Sequence, residues 1–450
     1  MTFTNIISAI GNNSSVYPLI LRDCGVEIPS KVYLTYKENK DDKDVAFLAT
    51  RERVIDEYAT SAVWLGGIPL VEKIANKVIK SGGLSPDVSL KLFKESNCQG
   101  MDFNIKSFED KLKQGIFTQE QGKEVKNALE EMKNVKLNKG KYEKLLSGKF
   151  IAATAIPIAL MGFVIPKLVF GLTAKTKALK KEKEAQFKKN SSLTFTSLNT
   201  GDTFTSFRLK KNNEPTFTGS FSSTVAGFST YQKMATIDGG YAVGRVVTAR
   251  KKNEAVDIGF KMMGMMFLNF VAPKYIAKIL DGVASKALNL DVRLDPIMLA
   301  DKSFMEEIAT KKLQLPNADD GASLLKFIDE NPNSTFTKYA SKFEKVKMMK
   351  SGVRDPRAYV DIEELAKFKK SIDEFANKAL SVSDSKNVVE QVQKFAKKAK
   401  TVKSLNIIAN VGLSSFLLAY GLPKVQYAFR EWYTGSKLEP GIIDEPVQNV

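Results

Sequence analysis

The sequence contains no histidine. That removes the usual general base, the Ser-His and Cys-His nucleophile pairs and the commonest metal ligand. Carboxylate and lysine chemistry stay open, but the balance moves away from an enzyme. Cysteine is scarce too: Cys24 and Cys98 stand far apart, with no CxxC. Two such cysteines make neither a disulfide framework nor a zinc site, and they suit a reducing compartment. Arginine is sparse beside lysine, and arginine forks with aromatic platforms are what base recognition in nucleic acids favours. The N-terminus, MTFTNIISAIGNNSSVYPLIL, has no basic region and no small-residue cleavage site, so it does not read as a signal peptide. No motif identifies a cofactor or a reaction.

What is present is helical, basic and locally very apolar. The 450 residues carry a net charge of +18 and are 43% hydrophobic, enough for two or three domains. Mean hydropathy is −0.18, so any membrane portion is a minority of the chain. Lysines alternate with acids at helical spacing, the pattern of a solvated helix face or of attraction to anionic headgroups.

The chain is organised around Phe150 to Ala174, an apolar stretch whose one charge is Lys167. It is long enough to cross a hydrocarbon core of about 30 Å as a helix. Pro157 and Pro166 interrupt it, which suits a broken or re-entrant helix; the alternative is a buried helix of a soluble bundle. Lys175 to Lys189 follows, and Lys175, Lys177, Lys180, Lys181 and Lys183 are candidate contacts to lipid headgroups. A second uncharged run, Leu405 to Pro423, is preceded by Lys394, Lys397, Lys398, Lys400 and Lys403. Trp432 beyond it suits a membrane interface. The lysines place the N-terminal end of this run on the cytoplasmic side, with most of the polar mass.

Taken in order, residues 1–44 read as an irregular cap, with Lys31 to Tyr36 (KVYLTY) as a strand. Residues 45–189 form a first helical half. In it a charged helix start (Arg51, Arg53, Asp56, Glu57) leads into an uncharged run broken at Gly66, Gly67 and Pro69. Polar helices then fill 84–148, where Thr118 and Gln121 have capping-box spacing. Residues 190–240, rich in Ser, Thr and Phe, read as a linker. Residues 241–435 form a second helical half, with polar helices over 286–403, and an acidic, loose tail occupies 436–450.

The halves resemble each other. Each apolar segment ends on a proline: GGIP at Pro69, FVIP at Pro166, FVAP at Pro273 and YGLP at Pro423. At equal spacing beyond Pro69 and Pro273 lie Asp87-Val88-Ser89-Leu90 and Asp291-Val292-Arg293-Leu294. An internal duplication is the expectation. Each proline lacks an N–H and crowds the carbonyl four residues earlier, so it kinks or restarts its helix.

Four constellations merit weighing. Gly239, Gly240 and Gly244 could cradle a phosphate, but no Walker Lys-Ser/Thr follows, and a flexible turn is favoured. Met262, Met263, Met265 and Met266 read as apolar packing before a soft-metal site. Asn269, Asn406 and Asn410 lie in apolar runs and would bond between helices in a membrane. Arg51, Asp56, Glu57, Arg250, Glu254 and Asp257 are the candidate binding residues, as buried ion pairs or a proton path; the plainer reading is surface pairing along one helix. The sequence thus favours an all-α, membrane-associated, non-catalytic scaffold without cofactor or metal. The bilayer, its anionic headgroups and a second copy of the chain are the expected partners, and nucleic acid is not. The alternatives are a repeat-built secondary carrier working as an oligomer and a soluble helical bundle.

Overall fold

The computed structural model describes residues 3–12, 20–95, 97–191, 230–383 and 387–443. They are almost wholly helical; the single β feature among them is an isolated bridge between Met348 and Arg354. The fold is all-α.

Four long, broken helices form the frame. The first is α3 (Lys43–Ala62) followed by α4 (Ile68–Ser81); the second is α7 (Lys139–Ala159) followed by α8 (Ile165–Ser191). The third is α10 (Lys252–Phe270) followed by α11 (Ala272–Leu288); the fourth is α17 (Val388–Phe416) followed by α18 (Leu422–Thr434). Helix α1 (Phe3–Asn12) precedes the frame and packs on α17, and α2 (Ile28–Glu38) and α9 (Thr230–Val247) lie against it.

The breaks share one geometry. A π-helical turn, Val63–Gly67, Leu160–Val164 or Leu417–Gly421, separates the two parts of three of the four helices. In each, the residue just before the proline (Ile68, Ile165, Leu422) gives its N–H to the carbonyl five residues back. A fourth such turn, Leu21–Glu27, precedes Pro29 in the same way. Proline removes the donor that an unbroken α-helix needs at this place, and the wider turn lets the chain pass with little loss of direction. Before Pro273 there is no π turn; Val271 donates to Phe267 and the helix restarts at once.

The helices pair in two matching sets. Helix α3 packs on α8 and α4 on α7, while α10 packs on α18 and α11 on α17. Helix α2 packs on α3 and on the π turn of the fourth long helix, and α9 packs on α10 and on the π turn of the second. Each short helix therefore bridges the two sets.

At one end of the frame the polar inserts fold into a body of their own. The first contributes α5 (Met101–Lys113) and α6 (Gln119–Leu137). The second contributes α12 (Pro296–Ala300), α13 (Lys302–Ala309), α14 (Gly321–Glu330), α15 (Thr335–Lys342) and α16 (Ile362–Ser381). One core gathers Phe108, Val125, Met132 and Tyr142; the other gathers Phe304, Leu324, Phe336 and Phe375. The loop between α15 and α16 joins them, with Met349 in the first core and Val346 and Val360 in the second. Arg354 in this loop reaches Asp329 at 2.7 Å, and Lys111 of the first insert meets the same carboxylate at 2.7 Å. The inserts of the two expected halves thus pack on each other.

Three expectations change. Lys31 to Tyr36 is not a strand but part of α2: Ile28, Lys31, Leu34 and Thr35 are buried at helical spacing while Tyr33 and Tyr36 face outward. Pro29 in the first turn starts that helix, and one-sided packing outweighs the β preference of its Val, Thr and Tyr residues. The part of the expected loose tail that is described is packed, with Leu438, Ile442 and Ile443 against Val45, Leu48 and Ala49; residues 444–450 lie outside the described residues. Gly239, Gly240 and Gly244 form no turn, since all three lie within α9. The expected linker falls mostly outside the described residues, but residues 230–240 belong to α9. The capping box at Thr118 and Gln121 is complete, and Val125, Ala128, Leu129, Met132 and Val135 supply the apolar face behind it.

Candidate functional site

Near the end of the frame opposite the polar body, charged side chains are buried in four clusters. The first joins α3 to α9. Arg245 forms a two-bond fork with Asp56, at 2.7 and 2.5 Å, and its guanidinium lies 5.9 Å from the Tyr241 ring centre. The second joins α3 to the start of α10: Arg250 reaches Glu52 at 2.8 and 3.0 Å and Glu254 at 2.7 Å, and stacks over Phe170 of α8 at 4.1 Å. In the third, Arg430 of α18 forks onto Asp257 of α10 at 3.1 and 2.7 Å. Gln426 donates to the same carboxylate at 2.7 Å, and Glu439 of the tail lies 2.9 Å from the remaining Arg430 nitrogen. The fourth centres on Glu57, which meets Lys261 at 3.0 Å, Arg53 at 3.2 Å and Lys31 at 3.4 Å; Lys31 also meets Glu27 at 2.6 Å.

Every carboxylate here has a cation opposite it, as burial demands. Moving an ion out of water costs several kcal/mol unless excellent geometry and further hydrogen bonds compensate. Burial alone would raise the Glu57 carboxyl. Lys261, Lys31 and Arg53 outweigh it and hold the group well below the ordinary glutamate range. Glu52 goes the other way: burial raises its carboxyl despite the opposing pull of Arg250. A cavity of about 50 Å³ lies among Glu52, Asp56, Arg245, Glu254, Asp257 and Glu439. That space holds a few waters.

Of the sequence candidates, Asp56, Glu57, Arg250, Glu254 and Asp257 lie in these clusters. Arg51 does not: it points along α8, to Thr176 at 2.8 Å and Thr173 at 3.3 Å. Glu27, Lys31, Glu52, Arg53, Arg245, Lys261, Arg430 and Glu439 complete the clusters and are not among the sequence candidates. Arg245 carried little signal, since the same helix also holds Lys233 and Asp238. Glu439 carried none, because nothing local indicates that the tail folds back.

Glycines let α9 approach the π turn of the second long helix. A Cβ on Gly162 would stand 3.1 Å from the Gly244 Cα, and one on Gly240 would overlap Ile158. Gly240 and Gly244 are spaced as GxxxG, the pattern that brings helix backbones together. Thr248, just beyond α9, has its hydroxyl 3.2 Å from the Gly162 carbonyl, the one that Pro166 leaves without its usual partner.

The remaining candidates scatter. Lys180 pairs with Asp44 and Lys177 donates to the Ile442 carbonyl, while Lys175, Lys181 and Lys183 are exposed. Asn406 crosses to Asp281 of α11 at 2.9 Å; Asn410 receives Ser414 of its own helix, and Asn269 is exposed. Met262 belongs to the core beside Met161 and Ile165, and Met263 faces out. No protein-family model, curated protein or solved structure matches the chain.

Proposed function

We propose that the protein is a membrane-embedded helical scaffold, without catalysis, that holds its polar body at the cytoplasmic face. One observation carries this reading. Lys139–Ala185, Lys252–Leu288 and Val388–Thr434 are long and apolar enough to cross a bilayer, yet their most apolar windows are only 28%, 22% and 22% buried within the chain. Leu160, Leu168, Phe267, Ile279, Ile408 and Phe416 all face outward. Water tolerates so large an apolar surface poorly, and hydrocarbon favours it. Trp432 and Tyr433 at the end of α18 suit the headgroup level. The exposed Lys175, Lys181 and Lys183 beyond Ala174 suit the headgroup level at the face opposite the polar body.

The internal duplication fits the same reading. The π turns Leu160–Val164 and Leu417–Gly421 are separated by the same number of residues as their prolines, and the two helix sets pair alike. The charge clusters then act as clamps that tie α2, α3, α9, α10 and α18 together. A carrier working as an oligomer is the second reading, favoured by these repeated proline breaks. Against it stands a site in which every carboxylate faces a cation, around a cavity of only about 50 Å³. Carbonate extraction decides the bilayer placement: the expressed chain is expected in the pellet, and full recovery in the supernatant overturns the reading. An Arg250→Glu variant in reconstituted vesicles separates clamp from carrier, since only a carrier loses solute flux while remaining folded.

A further inference from the structure

The tail beyond α18 leaves the helix through Gly435, whose φ of +74° turns the chain back over the ends of α2, α3 and α10. Side-chain anchors hold it there. Ile442 is 1% exposed and packs with Val45, Leu48 and Ala49, and Leu438 packs beside it. The backbone N–H of Glu439 donates to Asn39 Oδ1 at 2.9 Å, and Lys251 donates to the Ile443 carbonyl at 2.6 Å. The Glu439 side chain enters the third charge cluster, where Arg430 already has a complete carboxylate fork from Asp257. Gly441 lies so close to Arg250 and Glu254 that a Cβ would overlap both. The attachment resembles a bound peptide: no helix or strand of its own, aliphatic anchors on either side of one acid, and backbone groups held by side chains of the receiving surface.

We infer that this surface is a peptide-binding site whose tethered occupant is the chain's own tail, and that it takes a short segment that turns at a carboxylate set between aliphatic residues, as the tail does where the Ile442 and Ile443 amides donate to the Glu439 carbonyl. Tethering gives the tail an effective concentration on the order of millimolar, so a free segment of the same chemistry binds well only once the tail is lifted. The inference does not depend on where the bilayer lies.

Two measurements on the full-length chain test it. The first is hydrogen exchange on the unsubstituted protein. The amides of Leu438, Glu439, Ile442 and Ile443 should exchange together and well ahead of those of α3 and α18. Exchange only in step with those helices overturns the proposal. The second uses a Gly441→Leu chain, in which the new side chain overlaps Arg250 and Glu254, and a fluorescein-labelled, amide-capped peptide of residues 436–443. Anisotropy should saturate with this variant and be at least tenfold weaker with the unsubstituted chain. A peptide carrying Glu439→Gln should lose at least tenfold in affinity. Absence of saturable binding to the folded variant, or equal affinity for the Glu and Gln peptides, overturns the proposal. If the variant does not fold, the exchange result decides alone.

Discussion

The second and fourth long helices are built alike up to their prolines and differ two turns beyond them. Both pass through a π turn, restart on Ile165-Pro166 or Leu422-Pro423, and bury the next inward faces, Val169 in one and Gln426 in the other. At the following inward position α8 has Thr173 and α18 has Arg430, 2% and 1% exposed. Thr173 receives a long bond from Arg51 and hydrogen-bonds the Glu52 carboxylate, whereas Arg430 holds both Asp257 and Glu439. One backbone device therefore serves a neutral seat in one helix and a charged clamp in the other. Helix geometry sets where a side chain arrives; the residue type sets how much depends on it.

The largest expected difference follows from that seat. Arg430→Ala leaves two buried carboxylates without their cation and should cost about 3–5 kcal/mol. Thr173→Ala removes the long bond from Arg51 and the hydrogen bond to Glu52 but orphans no cation, and should cost about 1–2 kcal/mol. Denaturant unfolding in detergent compares them, and equal losses would erase the contrast. A second test concerns the Asp56–Arg245 fork. Either single replacement, Asp56→Leu or Arg245→Met, should cost about 3–5 kcal/mol, while the double replacement should recover most of it, because the cost lies in the orphaned ion. If the double variant is as unstable as the sum of the singles, the pair is not the unit of stability.

Smaller effects sharpen the comparison at the π turns. Gly162→Ala should cost about 1–3 kcal/mol, because its Cβ meets backbone of Gly244 that has little freedom to move. The matching position in the fourth helix is Ala419, which already carries a Cβ; Ala419→Gly should cost only about 0.5–1 kcal/mol. Thermal unfolding ranks the two. The mildest effect concerns acid and the polar body. Burial alone would raise the Asp329 carboxyl, but Arg354 and Lys111 outweigh it and hold it below the ordinary aspartate range. The unfolded chain therefore takes up its proton first. The stabilisation is complete above about pH 4, the ordinary aspartate value, and declines as the pH falls further toward the folded value. An Asp329→Asn chain, less stable at neutral pH, should show a shallower acid decline. A decline unchanged by the substitution would remove Asp329 from the account.

Much of the frame was legible residue by residue. Apolar lengths, proline breaks and the cap at Thr118 act within a few residues of themselves. The strand reading of Lys31 to Tyr36 failed because local preference for Val, Thr and Tyr is weak beside one-sided burial. The candidate site was half legible. Charges clustered before apolar runs pointed to Asp56, Glu57, Arg250, Glu254 and Asp257, but Arg51 looked equivalent and turned out to face α8. One residue along a helix changes direction by about 100°, and sequence spacing alone does not say which face meets a partner.

By itself the sequence determined that the chain is helical, where its apolar lengths lie and where prolines interrupt them, because backbone hydrogen bonding and side-chain periodicity are local. Only the tertiary structure decided which charges meet. Arg245 finds Asp56 across 189 residues and Arg430 finds Asp257 across 173. The tail's return to cover them, and the packing of both polar inserts into one body, are of the same kind. Such contacts depend on how whole helices dock, and docking is set by the summed fit of distant surfaces rather than by any short stretch of chain.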